Sequence, residues 1–352
     1  MRTELHKRLL SFARRPDAAA FDALALDVAR YQVEALPAYG RFVAASGGVG
    51  ERWDTVPPIP SELFAELDLC SQPPREDGKD RIFKTSGTTQ GEALRGRRRV
   101  PDISLYDAAM AGPFIAAVLG GDQSPRRWLS LVPHPRIMPT SSLSHMIGGL
   151  AEALASETIW AVDLEGLDLG RARAALSEGD GPIVILATAF ALFDLLEGLA
   201  QPPRTPKLPA GSRVMLTGGF KGRTDVISEG ELLARVKRQL GIPAELVVPE
   251  YGMTELSSQA YAACVGQPFA PMPSLRFRIV DPLTSAPLPA GQEGLVACFD
   301  LLNLDNVSAV LTSDLGVLDA DGRLTLRGRL AGSMPRGCSL TAEELRSLVR
   351  EP

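Results

Sequence analysis

Three short stretches hold the side chains best suited to chemistry. Lys84-Thr85-Ser86-Gly87-Thr88-Thr89 sets four hydroxyls around one glycine. Glycine lets the main chain approach a charged ligand, and the hydroxyls are small, rotatable donors, so the run suits backbone N–H groups cradling phosphate oxygens. It lacks the G-x-x-x-x-G-K-[ST] spacing of a Walker loop. Glu250-Tyr251-Gly252-Met253-Thr254-Glu255 follows the apolar Leu246-Val247-Val248. Glu255 therefore falls in the loop beyond a strand end, where open α/β sheets place ligand contacts. A hard oxygen ligand there could hold an Mg²⁺ that bridges phosphate oxygens, with Thr254 near the phosphate and Tyr251 stacked against a base. Thr312-Ser313-Asp314-Leu315-Gly316 leads on to Gly328-Arg329, and the Asp314 carboxylate can accept from both hydroxyls of a ribose. Each stretch alone is also ordinary turn or surface chemistry. Their joint occurrence, in this order, is the signal.

The elements around them follow from hydrophobic spacing. Residues 1–68 carry helical periodicity, with Phe21, Leu24, Val28 and Tyr31 on one face, and end in the link Val56-Pro57-Pro58-Ile59-Pro60. Residues 69–266 alternate short β-branched runs with longer helical ones. Ile183-Val184-Ile185 starts a strand that passes into a helix through Phe190, Phe193 and Leu196, and Arg213–Leu216 and Leu246–Val248 are strands flanking the helical stripe of Leu232, Leu233, Val236 and Leu240. Strand, helix, strand in this rhythm implies a parallel α/β layer. Residues 267–330 shift to period two: Leu275, Phe277 and Ile279 alternate with polar neighbours, Leu295–Phe299 is a further strand, and Asp319-Ala320-Asp321-Gly322 is a hairpin turn into Leu324 and Leu326. Residues 331–352 form a short C-terminal segment, in which Thr341–Val349 reads as a helix opened by Thr341 with Glu344 three residues on.

Composition narrows the class. With 352 residues, 45% of them apolar, the chain can bury one large core or two ordinary ones. A net charge of −5 leaves no electrostatic footprint for nucleic acid, and the basic run Arg95, Arg97, Arg98, Arg99 reads first as a solvated face and second as a phosphate contact. The start, Met1–Arg15, is interrupted by Glu4, His6, Lys7 and Arg8, as in an amphipathic helix and unlike a secretory signal. The most apolar stretch, 182–200, contains Asp194 and Glu197, which disfavours a membrane span. Cys70, Cys264, Cys298 and Cys338 lack metal-ligand spacing, which fits a reducing cytoplasm.

Six strings make a resemblance specific: Phe83 to Thr89, Ser141-Ser142-Leu143-Ser144-His145-Met146, Thr217-Gly218-Gly219-Phe220-Lys221-Gly222, Glu250 to Glu255, Thr312 to Gly316, and Arg336-Gly337-Cys338-Ser339-Leu340. Together they resemble the acyl-adenylate-forming superfamily, and within it the short acyl-protein synthetase (LuxE-like) family. The resemblance implies the N-terminal domain of those enzymes, with layered α/β sheets, a smaller β-rich part and a truncated C-terminal lid. It implies ATP and Mg²⁺ as cofactors, and activation of a carboxylic acid, foremost a fatty acid, to acyl-AMP. Thr85, Ser86, Gly87, Thr88 and Thr89 would hold phosphates, Gly218 and Gly219 would border the adenine and acyl pockets beside Tyr251 and Gly252, and Asp314 would bind ribose near Arg329. His145 would stand beside the acyl carboxylate. Cys338 would accept the acyl group as a thioester, unless it is a small buried hydrophobe, and an acyl-accepting reductase or carrier would be the partner. Met146, Ile147 and Leu150 suit a fatty chain or the core. The chain departs from the superfamily in having Gln90-Gly91-Glu92-Ala93-Leu94-Arg95-Gly96 without the usual lysine. Two other readings stay open: an aromatic or short natural-product acid as substrate, and a nucleotide- or adenylate-binding scaffold that has lost turnover.

Overall fold

The computed structural model describes residues 1–85, 95–202, 207–218 and 227–330. Three helices open the chain: α1 (Arg2–Arg14), α2 (Phe21–Ala35) and α3 (Pro37–Ala45). Leu5, Leu9 and Phe12 fall on one face of α1 and are buried, as the amphipathic spacing requires. Pro37, at the start of α3, closes α2 and begins the next helix. Two short strands and a hairpin follow: β1 (Ile59–Pro60), then β2 (Arg81–Lys84) paired antiparallel with β3 (Arg97–Val100). After α4 (Ser104–Ala117) the chain alternates through β4 (Arg126–Ser130), α5 (Ser142–Leu154), β5 (Ala155–Trp160), α6 (Leu169–Ser177), β6 (Ile183–Thr188), α7 (Ala189–Leu199), β7 (Arg213–Thr217), α8 (Glu229–Arg235) and β8 (Val247–Tyr251). It ends with β9 (Ala260–Tyr261), β10 (Leu275–Val280), β11 (Glu293–Asp300), β12 (Ala309–Leu318) and β13 (Leu324–Arg329).

The chain divides into two compact units. The first holds residues 1–109, 253–259 and 270–352. Its sheet runs β1-β12-β11-β10, with β13 also on β12. The alternation of Leu275, Phe277 and Ile279 appears in β10 as buried positions separated by half-buried ones. The stretch 56–60, read as a link, contributes β1, which pairs in parallel with β12 through Ile59 and Pro60. Proline is tolerated because the strand is short and at the sheet edge. Against this sheet lies a core of Leu5, Leu9, Phe21, Leu24 and Val28 with Phe299, Leu301 and Leu302.

The second unit holds residues 110–252 and 260–269. Its sheet runs β5-β4-β6-β7-β8-β9, parallel from β5 to β8, with β9 antiparallel at the edge. The expected strands at 183, 213 and 246 are its inner members, buried on both faces as their apolar runs require. Strand order reverses between β4 and β6, so the carboxyl ends of those strands flank a topological switch point. The helical stripe after Glu229 forms α8 and one π-turn, Val236–Leu240, ended by Gly241. No described helix is long and apolar enough to cross a membrane.

Candidate active site

In the first unit, Thr85 and Gly96 extend the β2–β3 pairing. Thr85 N donates to Gly96 O at 3.0 Å, and Gly96 N donates to Thr85 Oγ1 at 3.0 Å. Ser86, Gly87, Thr88 and Thr89 themselves lie outside the described residues. Glu255 rests against this hairpin base: a Cβ added at Gly96 would stand 3.3 Å from Glu255 Oε1 and 3.1 Å from Thr85 Cγ2. Two motifs that are remote in sequence thus meet here. Glu255 is buried, and burial pushes its carboxyl up to about 7, opposed by its own backbone and by Arg98, with Arg329 also within electrostatic reach.

The turn that presents Glu255 is held from beneath by a buried polar network. Arg98, 2% exposed, donates to Leu256 O at 2.7 Å, to Ser257 Oγ, and to Asn303 Oδ1 at 2.7 Å. Asn303 Nδ2 donates to Glu255 O at 2.7 Å. Asp300 accepts from the backbone N–H groups of Ser257 at 2.6 Å and Ser258 at 2.7 Å. The basic run is therefore corrected at this point: Arg98 is neither solvated nor free for phosphate. It sits on the inward face of β3, and its neighbour Arg99 pairs with Asp68 and Asp80. Sequence reading missed Arg98, Asp300 and Asn303. The only available signal was the strand alternation that turns one member of the run inward.

Asp314 and Arg329 are register partners on β12 and β13. Asp314 is buried, its N–H donates to Thr312 Oγ1 at 3.1 Å, and Arg329 Nε stands 3.8 Å from Asp314 Oδ1 while donating to Ser313 Oγ at 2.9 Å. Arg329 itself is exposed, so it can swing toward an anion. Thr254 is half-buried beside Glu255. Thr85, Thr254, Glu255, Asp314 and Arg329 all belong to the first unit.

The chain passes from one unit to the other between Gly252 and Met253. In the second unit, Tyr251 ends β8, is buried, and packs against Phe269 with ring centroids 5.7 Å apart, while Gly252 is exposed. Gly218 follows β7 with a left-handed φ of 70°, which glycine adopts without strain, and a Cβ there would meet nothing among the described residues. Gly219 and Cys338 lie outside the described residues. His145 is half-buried on α5, whose first turn is capped by Ser141 Oγ accepting from Ser144 N at 3.1 Å. Met146, Ile147 and Leu150 are packed core at 1%, 0% and 1% exposure.

Two residues with no role in the sequence reading stand at these strand ends. Thr217, the last residue of β7, donates its hydroxyl to Glu250 Oε2 at 2.5 Å, and the two are register partners. Glu250 is buried, and burial pushes its carboxyl up to about 7, with the Thr217 hydrogen bond opposing. An acid within the buried run Val247-Val248-Pro249-Glu250-Tyr251 was the legible clue. At the switch point a cleft of about 360 Å³ is lined by Leu131, Pro133, Ser141, Leu143, Thr188 and Phe190, among others.

Among the described residues no cluster of three His, Cys, Asp or Glu side chains could cage a metal ion. An Mg²⁺ with one protein carboxylate and phosphate oxygens needs no such cage. Glu255, a hard oxygen donor at the hairpin base and not hydrogen-bonded to a guanidinium among the described residues, fits that role.

No family model matches the sequence, and no curated protein matches it. Solved structures do match in fold. A 2-hydroxyisobutyryl-CoA ligase in complex with 2-HIB-AMP and CoA aligns with TM-score 0.65 at 17% identity, over 92% of this chain and 78% of that one. The long-chain-fatty-acid-CoA ligase FadD1 from Archaeoglobus fulgidus aligns with TM-score 0.53 at 16% identity, over 71% and 51%. ATP-bound MatB from Rhodopseudomonas palustris aligns with TM-score 0.50 at 16% identity, over 70% and 47%. The chain spans about half the length of the last two. These neighbours are acyl-adenylate-forming enzymes, and the fold is the mixed α/β fold of their N-terminal domain.

Proposed function

We propose that this chain activates a carboxylic acid with ATP and Mg²⁺, forming an acyl-AMP. The observation that carries the reading is the meeting of Glu255 with the Thr85–Gly96 hairpin base, which joins the acid of one motif to the foot of the hydroxyl-rich run of another. In the reaction a carboxylate oxygen attacks the α-phosphorus, a new P–O bond forms, the bond to the β-phosphate oxygen breaks, and pyrophosphate leaves. Mg²⁺, held by Glu255, would supply charge neutralisation on the phosphates. In this reading Asp314 would accept from the ribose hydroxyls with Arg329 near the phosphate or ribose oxygens, and the roles of Tyr251 and Gly218 at the base are those the sequence resemblance implies. His145 would stand beside the acid's carboxylate, as the sequence resemblance implies. Arg98, Asp300 and Asn303 hold the Glu255 turn in place, which saves reorganisation during the reaction.

The acid and its acceptor are the finer part of the proposal. A fatty acid passed to Cys338 as a thioester, or to a reductase or carrier, is the form the sequence resemblance implies. In that step the Cys338 thiolate attacks the acyl carbonyl and AMP leaves. Acid-dependent exchange of labelled pyrophosphate into ATP tests the first step. Intact-mass analysis with ATP, Mg²⁺ and acid tests the second: one acyl group should appear, hydroxylamine should remove it, and Cys338→Ser should abolish it. An unmodified mass across a broad acid panel counts against self-acylation. The absence of the usual lysine after Gly91 favours a second reading, a nucleotide-binding scaffold without turnover, for which ATP binding without exchange is the signature.

A further inference from the structure

The carboxyl of Glu250 is unused by the chemistry above, yet its placement is costly. It lies 6% exposed at the carboxyl end of β8, with Thr217 as its hydrogen-bond donor and no arginine or lysine paired with it among the described residues. A carboxyl in such a place raises the free energy of the fold unless something rewards it. Its surroundings are ordered in a particular way. Thr188, Thr217 and Glu250 are successive register partners across β6, β7 and β8, so they form one polar row on a single face of the sheet. The opposite face carries the apolar Ala187, Leu216 and Val247 of the core. The row starts at Thr188, which lines the switch-point cleft, and ends beside Tyr251; next to Thr217, a Cβ added at Gly218 would meet nothing within 4 Å among the described residues.

We propose that Glu250 and Thr217 read a hydrogen-bond donor on the acyl part of the substrate, so that the acid activated here is hydroxy- or amino-substituted and not a plain hydrocarbon chain. The proposal rests on the acid-activation reading and narrows its substrate class. The row offers acceptors on one side of an otherwise apolar sheet end: a carboxylate accepts at two oxygens, and only one is engaged by Thr217 in the described structure. An alkyl chain laid there would leave the buried carboxyl without the hydrogen bond it lost on leaving water, which disfavours that substrate. A hydroxyl or amine returns the lost hydrogen bond. The raised pKa of Glu250, caused by burial, agrees with a group awaiting a partner. Met146, Ile147 and Leu150, the residues best suited to a fatty chain, are already consumed by the core.

The test uses the full chain and matched acids: butanoic, 3-hydroxybutanoic and 3-aminobutanoic acid, and the same trio on an eight-carbon chain. In pyrophosphate exchange, the substituted member should exceed its parent by about tenfold or more, the discrimination expected of one hydrogen bond to a charged group. Glu250→Leu should erase or reverse that ratio. The isosteric Glu250→Gln separates the two donors, keeping preference for the hydroxy acid and losing it for the amino acid. Equal ratios in wild type and both variants would overturn the proposal. Thermal shift with the same acids gives a readout independent of turnover. If no acid supports exchange, the activation reading falls, while a larger stabilisation of wild type than of Glu250→Leu by substituted acids still upholds the recognition by Glu250. Equal thermal shifts overturn it.

Discussion

Replacing Glu250 by glutamine should make the chain more stable than wild type as pH rises. In the fold, burial raises this carboxyl from its ordinary 4.5 to about 7. Below 4.5 both folded and unfolded chains hold the proton, so ionisation costs nothing. Between 4.5 and 7 the unfolded chain releases a proton that the folded chain keeps, and folding stability falls as pH rises. Above 7 both are ionised and the loss is complete. Each pH unit of that window is worth about 1.4 kcal/mol, so the full penalty approaches roughly 3 kcal/mol by pH 8. Glutamine retains an oxygen for the Thr217 hydroxyl and cannot ionise. Its NH₂ group adds an offset that does not vary with pH, whereas the gap between variant and wild type must widen by about 3 kcal/mol from pH 4 to pH 8. Urea-denaturation midpoints of both proteins, measured at half-unit intervals, give that gap directly. Other buried acids, Glu255 included, cancel in the comparison. Parallel curves for the two proteins would refute the buried, partner-poor placement of Glu250.

Three further outcomes follow from the site. Glu255→Ala should lower Mg²⁺-dependent exchange by about a hundredfold, the scale of losing one preorganised electrostatic group, with nucleotide binding in the absence of Mg²⁺ retained; unchanged exchange kinetics would remove its assignment. Asp314→Ala should weaken ATP affinity about tenfold to a hundredfold by calorimetry, through loss of charge-assisted bonds to ribose, and should weaken a 2′,3′-dideoxy analogue no further; equal losses for both ligands would argue against ribose recognition. Arg98→Met should destabilise the chain by about 3–5 kcal/mol in urea titration, because it leaves Asp300 and Asn303 buried without their cation. A mild effect there would mean that the turn carrying Glu255 is held by other contacts.

Local pattern made much of the fold readable. The strands at 183, 213, 246, 275 and 295 appeared where β-branched runs and period-two alternation placed them, and the Asp319 turn joined β12 to β13. These signals need only near neighbours, since a side chain's face is set by its position along its own strand or helix. The adenylate-forming fold was legible by another route, the resemblance carried by the six strings, and the solved structures match it in fold.

Burial and partnership were not readable, because they depend on chain that is remote in sequence. Arg98 sits in a basic run that looks solvated until Asn303, 205 positions away, closes on its guanidinium. Pro60 becomes an edge strand only because β12 offers it an open side. Glu250 reads as one more letter of a motif until β7 brings Thr217 to its carboxyl. Sequence alone determined the order of elements and the types of side chain at their ends, which short-range sterics and hydrogen bonding specify. Only tertiary packing decided which acids and cations leave water, since desolvation is a property of everything that surrounds a group and not of the group itself.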